Sequence, residues 1–584
     1  MYALHKIDLF KREHKSEIEK KFFLNGDLTR KKLFSFLPAL ILTNLSTALL
    51  ISVDSLVAGN MISADALASI SFYSPVANII GAFTAIISTG SATLLSVRVG
   101  DVDSDGILRT KKLIANISVI AALIVSLLQI PIVFFIINTY DLSPDMISLM
   151  QHYAIGMMIA TPFGMISTIG TYQLQVMGKM KVLMGLAITE GITNLALNVF
   201  FVGVLDLGVA GTGFGTACAN IVRCTCTLIY LFKKTDMYSF RDAHWTSSDL
   251  KELIKKGMPD ASSIFINATI TYVMAHIIIL YFGQDGGVIK GVLSFLYSIV
   301  FVISSSIQGA TRPLVGFLNG IKDRRGIIVL IQQGVNLSVV FVGLLSLIFC
   351  VFPEWFFTMQ GINDIPEGGI LSIRLYAFYF VFTTIDSLFR MYFASAGNPR
   401  FSTILTLAGN ALVPGVAYVL GKVFAPPYIW LAYLIVESLI LIVNLIRYIR
   451  MAIIEKKREN DVEDTIYLSV EPEDAYEAAS MVQEYAIDIG QTEKIANRAR
   501  LCMEEMVAYS VKATRARKVR NQIVFHFSED EIRFIMLDDG ECIPFDNDEK
   551  ETEYMIDNYK LIKRLSKKMK YQYVLDMNYT LLTF

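Results

Sequence analysis

Twelve long apolar runs, broken by short polar stretches and all ending before residue 451, restrict this chain to a lipid bilayer. A helix gains about 1.5 Å per residue, so about 20 apolar residues cross the hydrocarbon layer. In lipid only helices and closed barrels satisfy every backbone N–H and C=O. The runs lie near 33–56, 68–97, 112–137, 147–171, 181–204, 209–232, 257–282, 287–318, 327–351, 371–395, 402–421 and 428–449. Two of them, opening near Leu67 and Val288, exceed a perpendicular crossing and imply tilt or extension beyond the bilayer. The whole-chain averages of 54% hydrophobic residues and mean hydropathy +0.50 conceal two populations, because Lys, Glu and Asp become frequent after Glu455. The expected fold is therefore an all-α polytopic membrane protein, twelve transmembrane helices in two six-helix halves, followed by a soluble α/β sandwich.

Lysine and arginine set the orientation. They crowd residues 1–32 and the breaks after even-numbered runs (Arg109, Lys111, Lys179, Lys233, Lys255, Lys322, Arg324), whereas breaks after odd-numbered runs hold almost none. By the positive-inside rule both termini are cytoplasmic, which an even number of crossings satisfies. Residues 1–32 have no apolar core of signal-peptide length and are expected to form a cytoplasmic leader lying on the membrane surface. A net charge of -1 with basic residues scattered between apolar runs speaks against nucleic acid as a partner. The six cysteines show neither metal-ligand nor disulfide spacing.

A long-offset repeat relates the halves. Pro38 corresponds to Pro259, Gly100-Asp101 to Gly320…Asp323, and Gly178 to Gly397, at offsets of 221, 220 and 219 residues. The resulting domains are a leader (1–32), a first lobe (33–232), a basic linker (233–256), a second lobe (257–450), a second linker (451–464) and the tail (465–584). Two lobes of like topology usually carry substrate between them.

Asp54 closes the first run. A carboxylate within a membrane helix costs about 2.5–3.5 kcal/mol on insertion scales, so it faces a cavity and is functional, or else the helix ends near Ser52 and Asp54 sits in the headgroup layer. Asn194 and Asn198 stand one turn apart on the fifth run, where their amide oxygens can share one ion or their side chains can bond another helix. Other acids at apolar depth are Glu190, which can meet substrate or pair with Arg223; Asp386, which can bind a cation or substrate or pair with Arg374 or Arg390; and Glu437. Phe72, Tyr73, Met157, Met158, Phe163, Tyr172, Tyr272, Phe295, Tyr297 and Tyr379 would suit a promiscuous cavity, with fewer than a quarter of such residues expected to touch substrate.

Over residues 33–450, Pro38 with Asp54, Asn194-Leu-Ala-Leu-Asn198, Gly208-Val-Ala-Gly211 and the turns at Gly178 and Gly397 together resemble the multidrug and toxic compound extrusion (MATE) family of cation-coupled exporters. The resemblance implies that Asp54 is the ionisable ligand of the coupling ion, Na⁺ or H⁺, with Asn194, Asn198 and Thr216 contributing oxygens. It also implies Asp386 as a candidate cation or substrate group of the second lobe, beside which Glu437 is a second candidate, and Glu190 a candidate substrate contact, from their depth in apolar runs. Asn198 departs from the pattern, since a second aspartate often stands there; one titratable group remains, for which a cationic drug would compete with the ion. The implied protein sits in the plasma membrane and exchanges ions for an organic cation or amphipath, with no cofactor. A lipid-linked precursor flippase of the same superfamily and a transporter-derived sensor are the alternatives.

The tail reads as strand 466–470, helices 475–489 and 492–514, strands 522–527 and 531–537, helix 557–569 and strand 579–584. It resembles the ATP-binding domains of anti-sigma-factor kinases in the helix bearing Glu505, in Asp538-Asp539-Gly540 followed by Ile543-Pro-Phe-Asp546, and in Asn578. Tyr509 replaces the expected Mg²⁺ amide ligand, and no glycine occurs between Glu541 and Phe584 to form a phosphate lid. Glu505, Asp538 and Gly540 are therefore candidates for a degenerate nucleotide site, and a cytoplasmic protein is the expected partner.

Overall fold

The structure is a computed structural model that describes residues 17–18, 21–22, 27–101, 103–139, 144–234, 244–283, 285–360, 362, 364–396, 398–462, 464–513, 519–528, 531–541 and 560–584. It separates into a membrane unit (33–320 and 331–445) and a tail unit (1–32, 321–330 and 446–584). Gly397 and the 543–546 segment lie outside the described residues.

The membrane unit is helical throughout. Its first half holds α1 (Asp27–Met61), α2 (Ala64–Gly100), α3 (Ser104–Thr139), α4 (Pro144–Val176), α5 (Met180–Gly203) and α6 (Gly208–Lys234). The second half holds α7 (Ser247–Phe282), α8 (Asp285–Gly320), α9 (Arg324–Leu337) running through a π-helical turn into α10 (Gly343–Val351), the short α11 (Pro353–Met359), α12 (Gly369–Ala377), α13 (Tyr379–Ser395), α14 (Pro399–Val423) and α15 (Leu431–Val462). Among the described residues eleven helices are long and apolar enough to cross a membrane; α1, 35 residues long, is not among these eleven. The tenth run is one span, Gly369–Ser395, divided into α12 and α13 only at Phe378, whose φ of -67° and ψ of -28° are still helical.

The linker expected over 233–256 is half helix. Thr246 caps α7 by accepting from the Asp249 backbone N–H while the Asp249 carboxylate takes the Thr246 N–H, so the helix begins at Ser247. Its first two turns, Asp-Leu-Lys-Glu-Leu-Ile-Lys-Lys, are too charged for a hydropathy window to register. The halves touch closely where α2 meets α7: a Cβ on Gly257 would lie 2.0 Å from the Ile86 carbonyl, so only glycine allows that approach.

In the tail unit, β1 (Asp464–Val470), β2 (Asn521–Phe527), β3 (Ile532–Asp538), β4 (Lys568–Val574) and β5 (Met577–Thr583) form an antiparallel sheet in the order β1-β2-β3-β5-β4. Ile466, Leu468, Phe525, Phe527, Phe534 and Met536 pack with Tyr485 of α16 (Ala475–Asp488) and Met503 and Met506 of α17 (Glu493–Ala513). The leader does not lie free on the membrane in its described part: Ile18 and Phe22 enter this core, and the Phe22 carbonyl accepts from the Ser469 N–H of edge strand β1 at 3.1 Å.

The helix expected over 557–569 is too long. Its described part covers 560–565, and residues from Lys568 onward form β4. A two-residue turn, Leu575-Asp576 with φ of 55° and 59°, joins β4 to β5 as a type I′ hairpin. Nothing in that dipeptide signals such a turn, because neither residue is glycine or asparagine.

Candidate functional site

Asp54 lies within α1, which continues to Met61, so the helix does not end at Ser52. The carboxylate is 4% exposed and sits in a ring of donors. Its Oδ1 accepts from Asn198 Nδ2 at 2.7 Å, and its Oδ2 accepts from the Thr216 hydroxyl at 2.9 Å and the Tyr153 hydroxyl at 3.1 Å. The Thr216 oxygen in turn accepts from Asn194 Nδ2 at 2.9 Å. Asp54, Asn194, Asn198 and Thr216, named from sequence, thus converge from α1, α5 and α6.

Two glycine contacts make this convergence possible. Gly156 of α4 faces Gly213 of α6, where an added Cβ would approach Gly213 to 2.5 Å, so α4 and α6 run together and place Tyr153 beside Thr216. A Cβ on Gly215 would fall 1.9 Å from Asn198 Oδ1. Sequence reasoning missed Tyr153. The available signal was Gly211-Thr-Gly213-Phe-Gly215: glycine costs about 1 kcal/mol each inside a helix, so three in five residues mark a close approach.

The oxygens left over matter chemically. Among the described residues Asn198 Oδ1 is buried without a hydrogen-bond partner, and Asn194 Oδ1 has only a long 3.4 Å contact. With the carboxylate they form an all-oxygen set of the kind a hard cation takes. Beyond Tyr153 the network continues: its ring meets Tyr73 edge-on with centroids 5.2 Å apart, and the Tyr73 hydroxyl donates to Gln129, whose amide donates to Thr161 at 2.9 Å.

The remaining buried acids are held in other ways. Glu190 receives Arg223 Nη1 on both oxygens at 2.9 and 2.7 Å, and the same guanidinium reaches Thr171 at 3.0 Å. Asp386 receives Arg390 at 2.8 Å and the Asn444 amide of α15; Arg374 turns instead to the Cys350 carbonyl at 3.1 Å. Glu437 is 3% exposed, and its Oε1 has no hydrogen-bond partner among the described residues.

A cavity of about 560 Å³ opens between the halves, walled by α2 (Asn78, Thr89), α4 (Tyr172), α7 (Asp260, Asn267), α8 (Tyr297, Phe301, Gln308, Arg312) and α13 (Thr383, Ser387, Arg390). Arg312 donates to Asp260 at 2.6 Å on its wall. Of the aromatic and methionine residues singled out from sequence, Tyr172 and Tyr297 line it. Neither Asp54 nor any of its partners does, so this arrangement gives no support to direct competition between a drug and an ion for Asp54.

In the tail, Asp538 and Gly540 come together with Asn578: Asp538 Oδ1 accepts from the Gly540 N–H at 2.9 Å and from Asn578 Nδ2 at 2.6 Å. Burial pushes the Asp538 carboxyl up to about 6, against those two hydrogen bonds. Among the described residues no hydrogen bond joins Glu505 to this group.

The sequence profile of the MatE family matches residues 39–200 and 289–419, half of the chain. The probable multidrug resistance protein NorM of Thermotoga maritima is 28% identical over 258 residues, covering 41% of this chain and about half (53%) of that protein. The multidrug export protein MepA of Staphylococcus aureus is 22% identical over 393 residues, covering 65% of this chain and 86% of MepA. Among solved structures, a MOP superfamily transporter from Pyrococcus furiosus superposes with a TM-score of 0.68 at 17% identity, covering 73% of this chain and 96% of that one. A MATE in its bent conformation gives 0.69 at 18% identity, covering 75% and 98%.

Proposed function

Since the chain belongs to the MatE family, a family of transporters, we propose that it is a secondary active multidrug exporter, exchanging Na⁺ or H⁺ for organic compounds by alternating access. The observation that carries this reading is the Asp54 ring, a buried carboxylate beside an amide oxygen, Asn198 Oδ1, that has no hydrogen-bond partner among the described residues. In this reading α1 is the twelfth crossing, both termini face the cytoplasm, and the protein resides in the plasma membrane. The substrate is a cationic or amphipathic organic molecule held in the 560 Å³ cavity, where Tyr172, Tyr297 and Phe301 offer aromatic faces and Asp260 is already paired with Arg312. Asp386 and Glu437 serve the second lobe as cation or substrate groups through Arg390, whereas Glu190, saturated by Arg223, positions α5 and α6.

Coupling then passes through the helices rather than through a shared charge. Helix α4 holds Tyr153 on Asp54 and Tyr172 on the cavity wall, with Pro162 between them as a bending point. An ion that binds one orientation of α4 better than the other shifts the equilibrium of the halves. A flippase for anionic precursors is less well supported, because Arg312 and Arg390 each already face a carboxylate. The tail, in this reading, is a regulatory module of anti-sigma-factor-kinase type without ATPase activity, since its Asp538 carboxylate is engaged by the chain's own Asn578 and Gly540.

The test is efflux of a fluorescent organic cation from energised cells, with Na⁺ and pH gradients imposed separately. Wild type should respond to one gradient, and Asp54→Asn should lose that response while remaining in the membrane. Normal gradient-driven efflux by Asp54→Asn would remove Asp54 from the mechanism.

A further inference from the structure

The tail unit grips the chain at two points that lead into different halves. Lys31 and Lys32 stand near the start of α1, which enters the first half. Lys31 Nζ donates to Asp539 Oδ2 at 2.5 Å, and Lys32 Nζ donates to Asp576 Oδ2 at 3.0 Å. Residues 321–330, the turn after α8 and the first turns of α9 in the second half, belong to the same compact unit as the tail. There Asp323, 0% exposed, accepts from Gln522 Nε2 at 2.8 Å, and the Arg325 guanidinium lies 4.9 Å above the Tyr467 ring. The strand register puts Tyr467 and Gln522 on one face of the sheet, opposite the face that packs on α16 and α17.

These are not loose surface pairs. Asp539 keeps 6% of its side-chain surface and Lys32 keeps 8%, so each pair has one desolvated member, where an ion pair counts for more than in open water. The internal repeat sharpens the point. In the first half, Asp103 Oδ1 accepts the Gly106 N–H at 2.9 Å; 220 residues on, Asp323 Oδ1 accepts the Gly326 N–H at 2.8 Å. The first-half turn is tied to α7 by Arg98, which donates to the Gly106 carbonyl and to Asp249 at 2.6 Å. The matching position in the second half is Leu318, which has no donor to give. The tail's Gln522 supplies the polar partner there.

We propose that the tail is an autoinhibitory clamp, which ties the entry of α1 to the α8–α9 connection and so restrains the separation of the halves that alternating access requires. The proposal rests on the export reading. Rocking of one half against the other changes the distance between points on opposite halves that lie off the rotation axis, and the basic residues around both points place them on the cytoplasmic side in the export reading. Opening toward the cytoplasm then requires at least one grip to release.

The experiment uses full-length protein reconstituted in liposomes, as wild type, Lys31→Glu, Gln522→Ala, and the exchanged pair Lys31→Glu with Asp539→Lys. Hydrogen exchange at the start of α1 and over 321–330 reports the grips, and efflux of a fluorescent organic cation reports transport. Lys31→Glu and Gln522→Ala should each raise exchange at their own grip and speed efflux several-fold, and the exchanged pair should bring both back toward wild type. Raised exchange with unchanged or slower efflux in an exporting protein would overturn the clamp, as would unchanged exchange in both single variants. Exchange that follows the charge swap in a protein with no efflux in any variant would count against export and support the grip.

Discussion

At the scale of single residues, the Asp54 ring depends on groups that never touch the ion. Gly215 is the tightest of them, since its missing Cβ leaves the space that Asn198 Oδ1 occupies. Gly215→Ala should displace Asn198 and cost about 1–3 kcal/mol of stability, the usual price of overpacking, read as a lower thermal midpoint in detergent together with lost efflux. Tyr153→Phe keeps the ring against Tyr73 and removes the hydroxyl that donates to Asp54. A hydrogen bond to a charged group is worth about 1.5–3 kcal/mol, so the half-maximal ion concentration for efflux should move about tenfold or more, with little loss of folded protein. Asp54, Asn194 and Asn198 were legible because polar side chains stand out in apolar runs, and Thr216 only through the family resemblance. Tyr153 was not, because a tyrosine in a membrane helix looks like packing until the glycine contact of α4 and α6 aims it.

At the scale of elements, apolar length located the crossings well and their ends poorly. Helix α7 starts inside the expected linker because a capping box and a charged amphipathic turn extend it. Thr246→Ala should cost about 1 kcal/mol, and Asp249→Ala more, because Asp249 also holds Arg98 at 2.6 Å. Thermal unfolding of the two purified variants checks the order; equal losses would mean that the Arg98 pair contributes nothing. Strand β4 was hidden for the converse reason: Lys-Met-Lys-Tyr-Gln-Tyr-Val follows a helical segment without glycine or proline, and only pairing with β5 selects the extended form.

At the scale of the whole molecule, the tail unit carries its own pH dependence. Burial pushes the Asp323 carboxyl up to about 6, against hydrogen bonds from Gly326 and Gln522 and the charge of Arg325. Its ordinary value is 3.8, so the folded unit holds this proton more tightly than the unfolded chain, and the group's contribution to stability falls as pH rises from about 4 to about 6 and is then constant. Asp323→Asn removes the titration, and the neighbouring Gln522 amide, whose Oε1 has no partner, can turn to accept from the new side chain. Wild type should therefore lose stability relative to Asp323→Asn between pH 4 and pH 6.5, by up to about 3 kcal/mol, measured by thermal unfolding of the two proteins side by side. A constant difference across that range would mean that the buried carboxyl titrates normally.

The sequence by itself determined the many long apolar helices of residues 33–450 and the acids worth testing. Each rests on a local property, apolar length or a polar group where lipid leaves it no partner. Only the tertiary structure decided that Asp54 and the cavity are separate, that Glu190 is saturated by Arg223, and that the leader and the α8–α9 connection belong with the tail. Those outcomes depend on which helix faces pack together, and packing is decided by contacts between residues far apart in the chain, such as Lys31 with Asp539, that no local pattern encodes.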